Sequence, residues 1–191
     1  TWGKPFVVID TPQDDRDPHV CQLANGDLLA TFFTRWVEKK GDLSLEVGRV
    51  WVVRSTDNGQ PGDKQPTPVA PTPYDDYKGV SSVFISGPPA QLEGKHVILP
   101  IYGTISSGHY ETAIIHSKDF GKTWGGASRV DPEQSAAFSY GFCEASVARL
   151  AGGRLIIVMR PGMHQSYSDD QGYTWSGTVA EARVDYVGSG E

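Results

Sequence analysis

The chain has 191 residues, 38% of them apolar, 21% charged and 10% aromatic, which suffices to bury a core without a metal or disulfide scaffold and excludes disorder. Seventeen basic against 23 acidic residues give a net charge of -6 with no Lys/Arg run, which argues against nucleic acid as a partner. The longest apolar runs, such as 155–159, are strand-length and cannot span a bilayer, and two cysteines, Cys21 and Cys143, make neither a disulfide framework nor a metal site.

Twenty-two glycines and 13 prolines punctuate short apolar runs along the whole chain. Thr1 stands where a native start would have Met, so a leader removed earlier is expected, and extracellular, periplasmic and cytoplasmic placements all stay open. Residues 17–23 predict a first inner strand, closed by Asn25-Gly26 as a two-residue hairpin. Leu43-Ser-Leu-Glu-Val47 and Arg49-Val-Trp-Val-Val-Arg54 have strand composition, followed by a second inner strand near 82–88 and runs at 95–102 and 112–116. Residues 131–139 allow one short helical turn. A third inner strand near 144–150, a Gly152-Gly153 hairpin and the run Arg154-Leu-Ile-Ile-Val-Met-Arg160 complete an all-β reading.

Two repeats organise these runs. Ser117-Lys-Asp-Phe-Gly-Lys-Thr-Trp124 and Ser168-Asp-Asp-Gln-Gly-Tyr-Thr-Trp175 share the box Ser-x-Asp-x-Gly-x-Thr-Trp. Ser55-Thr-Asp-Asn-Gly59 keeps the first half of the box, with Pro61-Gly62 where Thr-Trp would stand, and Thr1-Trp2 reads as the tail of a further copy. The three serines lie 62 and 51 residues apart. Between the boxes, residues 17–29 align without gaps on residues 144–156, and Gln91-Leu-Glu-Gly-Lys-His-Val-Ile98 is a weaker third copy. A four-stranded unit repeating at this period is a propeller blade, which predicts blades at about 3–62, 63–124 and 125–175, with 176–191 starting a next blade or forming a tail. Within a box, Asp followed by x-Gly makes a tight turn whose carboxylate accepts backbone N–H groups. Asp57, Asp119 and Asp170 therefore read as structural, and the box Trp as a large apolar plug.

These boxes resemble the Asp-box, or bacterial neuraminidase repeat, of the sialidase superfamily of six-bladed propellers, over essentially the whole chain. The resemblance implies a sialidase-like β-propeller of which about three four-stranded blades are present. It also implies site residues. Arg16-Asp17-Pro18 followed by Gly26-Asp-Leu-Leu-Ala30 resembles the family's first arginine motif, with Asp17 in place of an apolar residue. Arg35 in Thr-Arg-Trp matches the second arginine, and Asp42 after Gly41 matches the acid/base aspartate. Glu144-Ala-Ser-Val147, Gly153-Arg-Leu155 and Arg160 reproduce a later glutamate, turn and arginine.

Chemistry accounts for these residue types. Sialic acid carries a carboxylate at its reacting carbon, which guanidinium forks grip through paired charge-assisted bonds; Arg16, Arg35 and Arg160 would bind it. That carboxylate disfavours a carboxylate nucleophile, so sialidases use a tyrosine. Glu144 would polarise such a phenol, and Asp42 would protonate the leaving oxygen. Plainer readings compete: Arg16 lies in an Asp-Asp-Arg-Asp charge cluster, Arg35 at a strand end and Asp42 in a turn. Trp36 and Tyr102 read either as lining of the mouth or as packing, and His116 and His164 read as structural.

The resemblance further implies a third arginine and the tyrosine nucleophile, and Arg183 and Tyr186 stand too close together to be that pair. About half of the catalytic apparatus is expected to be missing, with closure by a homodimer or by further blades of a longer protein. The expected activity is a sialidase-like exo-glycoside hydrolase, or a partial chain of one, with a sialylated or acidic glycan as substrate, no metal and no cofactor. The alternatives are a non-catalytic propeller segment binding glycan or protein, and a related hydrolase or lyase acting on uronic or deoxy sugars.

Overall fold

The structure, a computed structural model, describes residues 3–60 and 65–180. Thr1-Trp2, Pro61-Gly62, Arg183 and Tyr186 therefore lie outside the described residues. Strands β1 (Asp14–Gln22), β2 (Leu28–Lys40), β3 (Leu43–Ser55) and β4 (Thr67–Pro68) form one sheet in chain order. In the second sheet β5 (Val83–Phe84) and β6 (Ala90–Gln91) both pair with β7 (Val97–Ser106), which is followed by β8 (His109–Ser117) and β9 (Gly125–Arg129). The third holds β10 (Cys143–Arg149), β11 (Leu155–Arg160) and β12 (His164–Ser168), and a bridge from Gln165 to Val179 begins its fourth strand. All these strand pairs are antiparallel. The described residues are a nearly all-β segment of a sialidase-like propeller with about three blades.

Several local expectations are refined. The runs 43–47 and 49–54 are one strand, because Gly48 stays in the ladder opposite Arg35. The second inner strand is split at Gly87-Pro88-Pro89, since proline has no N–H to give the ladder. Both expected two-residue hairpins have three-residue loops. Leu23 N bonds Asp27 O and Gly26 N bonds Leu23 O, and Leu150, Gly153 and Arg154 repeat that pattern. In both loops a glycine at positive φ, Gly26 or Gly153, follows the turn; Gly152 is also at positive φ (83°, with ψ 0°), which makes the second turn type II. The sheets also run past the boundaries drawn at 62 and 124: β4 and β9, each beyond a box, pair back onto the blade before it. The short helix is present as α1 (Pro132–Ala137), with Asp131 accepting from Gln134 N at 3.2 Å.

Alternation along the middle blade explains the core. Val97, Leu99 and Ile101 of β7, with Ala113 and Ile115 of β8, pack against Leu29, Phe33, Val50 and Val52 of the first blade. Ile98 and Ile114 point the other way, onto Phe142, Val147, Leu155 and Ile157 of the third. A blade covered on both faces needs continuous apolar strands, as β7 and β8 have. Trp124 closes the first interface, beside Gly121, where a Cβ would lie 2.7 Å from Leu29 Cδ1.

The boxes work as turn clamps. Asp119 accepts from Ser117 Oγ, Lys122 N, Thr123 N and Thr123 Oγ1 at 2.6–3.0 Å, and Asp170 does the same with Ser168, Tyr173 and Thr174. Asp57 accepts from Ser55 Oγ at 2.5 Å.

Candidate functional site

Antiparallel register decides which side chains share an end of the molecule. In each complete blade the start of the inner strand, the end of the second and the start of the third lie together, while the boxes, which follow the third strand, lie at the opposite end. Arg16 (β1), Phe33 and Arg35 (β2) and Glu46 (β3) reach the first end from the first blade. Phe84, Tyr102 and Tyr110 come from the second blade, Tyr140 from the approach to β10 and Glu144 from its start. These nine residues line one open pocket of about 250 Å³. That is slightly below the roughly 300–1,000 Å³ of drug-sized clefts and suits a single sugar ring.

A shared backbone device aims two of the carboxylates. The ladder slips between Arg16 and His19 in β1 and between Cys143 and Ser146 in β10. Within these bulges Asp17 and Glu144 both adopt φ of 48°, a left-handed conformation that costs a non-glycine residue roughly 1–2 kcal/mol. Bulges re-aim side chains, and these two positions are the ones that the gapless repeat places in register. Ser86 Oγ donates to Asp17 Oδ2 at 3.3 Å, which joins the first and second blades at the rim.

Each guanidinium carries its own carboxylate. Arg16 bonds Asp14 Oδ2 through Nε at 2.7 Å and Nη2 at 2.6 Å, and the pairing holds the Asp14 carboxyl below its ordinary range. Arg35 Nε donates to Glu46 Oε1, and Glu46 Oε2 accepts from the Tyr110 hydroxyl at 3.3 Å. Arg160 Nη1 donates to both oxygens of Glu144 at 2.8 and 2.7 Å, so Arg160 touches the pocket through Glu144 rather than lining it.

Facing these charges is an aromatic wall. Ring centroids of Phe33 and Phe84 lie 5.3 Å apart, Phe84 and Tyr102 5.4 Å, Tyr102 and Tyr110 5.6 Å, and Tyr110 and Tyr140 5.0 Å. Burial pushes the Tyr102 and Tyr110 phenols upward, with Glu144 adding at Tyr102 and Glu46 at Tyr110, so both stay protonated at neutral pH. Burial likewise pushes the Cys143 thiol up to about 11, which leaves it unreactive.

Three of the five expected site residues, Arg16, Arg35 and Glu144, thus meet at one pocket, and Arg160 stands behind Glu144. Asp42 does not join them. It is exposed in the Gly41-Asp42 turn at the tip of the β2–β3 hairpin, roughly 20 Å along the hairpin from Arg35 at about 3.3 Å per residue. Trp36 packs under Arg49 and beside Leu45, Val47 and Val80, away from the pocket, whereas Tyr102 lines it. Sequence reasoning missed Glu46, Tyr110 and Tyr140. The signal for Glu46 was the two-residue turn, which pairs Arg35 with Gly48 and puts Glu46 diagonally beside Arg35 on the same face. Among the described residues no group of three or more His, Cys, Asp or Glu is placed to hold a metal ion. No helix among them is long and apolar enough to cross a membrane.

Blades of this order, with arginines, carboxylates and aromatic rings gathered at one end, make a sialidase-like propeller. The chain matches the BNR repeat-like domain over residues 1–186 and belongs to that family. Among solved structures it is similar to a protein of unknown function from Dyadobacter fermentans DSM 18053, with 20% identity and a TM-score of 0.72 over 94% of this chain and 55% of that one. The Hadza microbial sialidase Hz136 matches with 19% identity and a TM-score of 0.63, over 88% of this chain and 34% of the sialidase. Trypanosoma rangeli sialidase in complex with the inhibitor DANA matches with 19% identity and a TM-score of 0.57, over 87% and 28%. The chain therefore spans about half of the first of these proteins and about a third or less of the two sialidases. At such identities the likeness is one of fold. No curated protein matches the chain.

Proposed function

We propose that this chain is the sugar-holding part of a sialidase-like exo-glycoside hydrolase site for sialylated or other acidic glycans, and that by itself it binds such a sugar without cleaving it. The observation that carries this reading is the convergence of Arg16 and Arg35 from the first blade with Glu144 from the third on one pocket. Guanidinium groups hold and orient a carboxylate through paired N–H bonds. Arg35 keeps both Nη groups, and Arg16 its Nη1, for that purpose. The wall of Tyr102, Tyr110 and Tyr140 offers flat apolar faces and hydroxyls to a sugar ring. Hydrolysis also needs an acid at the leaving oxygen. Glu46 and Glu144 are each bonded to an arginine and Asp42 sits at a hairpin tip, so none of these carboxyls is placed for that step. In this reading Glu144, steadied by Arg160, would polarise a tyrosine supplied from outside the described residues.

Calorimetric titration with N-acetylneuraminic acid, together with a fluorogenic sialoside assay, tests the reading. Binding is expected, weakened at least about tenfold by Arg16→Ala or Arg35→Ala, the size expected for losing one charge-assisted contact, with no turnover by the chain alone. Failure to bind, binding indifferent to both arginines, or robust turnover would contradict it.

A further inference from the structure

Glu46 stands where the first two blades meet at the mouth, and both of its oxygens are occupied. Oε1 takes the Nε–H of Arg35 from β2, and Oε2 takes the hydroxyl of Tyr110 from β8, 3.3 Å away. Tyr110 is itself tied to the third blade's approach: its N–H donates to Tyr140 O at 2.9 Å, and its ring lies 5.0 Å from that of Tyr140. Gly48 makes room for this arrangement. It lies opposite Arg35, and a Cβ there would fall 2.3 Å from the Phe84 ring.

A carboxylate grips a guanidinium in two ways, side-on at Nε with one Nη, or end-on at the two Nη groups. Glu46 holds the side-on approach to Arg35. It also tips the charge of the rim, where Asp14, Asp17 and Glu144 match Arg16, Arg35 and Arg160 and Glu46 leaves the carboxylates in excess. An incoming carboxylate therefore meets both a competitor at Arg35 and a like charge beside it.

We propose that Glu46 is the specificity-determining residue of this pocket: an internal carboxylate that competes with the ligand's carboxylate for Arg35, and so sets how tightly an acidic sugar is held. The proposal rests on the acidic-sugar reading above for its ligand, while the competition itself concerns any carboxylate. Glu46 leaves only the end-on approach to Arg35 open, so it selects ligands whose acid group points at the two Nη groups. Tyr110 restrains the competitor by holding Oε2 away from the guanidinium.

The test is an NMR titration of the 191-residue chain with acetate, the minimal carboxylate, and with N-acetylneuraminic acid, following the Arg35 Nε–H resonance. Glu46→Gln keeps the shape and removes the charge. It is expected to bind both ligands roughly tenfold more tightly, as for removal of a like charge several ångströms away near a protein surface. Tyr110→Phe frees Glu46 to close on Arg35 with both oxygens and is expected to bind both roughly threefold more weakly, the scale of a half-exposed ion pair. Unchanged or weaker acetate binding in Glu46→Gln would overturn the proposal. If that variant does not fold, unchanged or tighter binding in Tyr110→Phe overturns it instead. Should acetate respond as expected while N-acetylneuraminic acid binds no better than acetate, the competition stands and the acidic-sugar reading fails.

Discussion

Asp119 shows how a carboxylate that looks catalytic in sequence can be wholly engaged in a turn. Two hydroxyls and two backbone amides converge on it at 2.6–3.0 Å. Although burial pushes its carboxyl upward, the bonds from Thr123, Ser117 and Lys122 hold it down at about 2. Asp119→Ala should cost about 1–3 kcal/mol of stability at neutral pH, the range for hydrogen bonds to a charged group, and should leave ligand binding at the opposite end unchanged. The sign with pH follows from the lowered value. The stabilisation is complete above the ordinary carboxylate pKa of 3.8 and is lost as pH falls toward about 2. Urea unfolding curves of wild type and variant should therefore converge over that interval. A difference that persists at the acid end would mean that the charge is not what the turn uses. Glu144 is the contrasting case: it too is a carboxylate, but its left-handed bulge at φ 48° turns it toward the pocket instead of into a turn.

Between the second and third blades a chain of imidazoles bridges two elements. His116 Nε2 meets Ser128 Oγ at 3.0 Å, His116 Nδ1 meets His96 Nε2 at 3.0 Å, and His96 Nδ1 meets Gln171 Oε1 at 2.9 Å. Tyr173, from the same box as Gln171, lies flat on His116 with centroids 4.3 Å apart. Burial first, then His96 and Lys118, push His116 down from 6.5 to about 4, so it is neutral in the folded blade pair. Below pH 6.5 the unfolded chain binds the extra proton, and stability falls until about pH 4. His116→Phe should lower stability at pH 7 and flatten the slope of unfolding free energy over that window by up to one proton; an unchanged slope would place the acid sensitivity elsewhere. Such pairings also mark the limit of what the sequence discloses. The boxes and the repeat at 17–29 and 144–156 were legible because one local turn and one local bulge recur in the same residues. Glu46 beside Arg35, and Tyr110 beside Glu46, were not, since they depend on strand register and on which blade faces which. Asp42 misled for the same reason: its spacing from Arg35 fits a nearby loop, but a continuous hairpin carries it away. The break in the second inner strand lay in plain view at Pro88-Pro89, yet splitting the strand there required knowing that both halves pair with β7.

For the molecule as a whole, the two end blades differ from the middle one in what covers them. The first blade's outer face carries Val20, Ala30, Phe32 and Val53, and Phe6 and Val8 of the leading segment line the hollows over it, with a groove of about 740 Å³ left open. Val20 is 67% exposed and Phe6 47%, so an apolar flank faces solvent, as on a repeat array without a polar cap. The isolated chain is accordingly expected to self-associate, with a sedimentation coefficient that rises with concentration, and Val20→Asp should shift it toward monomer. A concentration-independent monomer would show that the leading segment already serves as the cap. At the other end Arg16, Arg35 and Glu144 converge on the pocket proposed to hold an acidic sugar. The most direct test of that proposal is a titration comparing N-acetylneuraminic acid with its methyl ester, which keeps the ring and removes the charge. The acid is expected to bind at least about tenfold more tightly than the ester, as for a charge-assisted guanidinium–carboxylate contact, and Arg16→Ala with Arg35→Ala is expected to abolish the difference. Equal binding of acid and ester, or a preference that survives loss of both arginines, would contradict it.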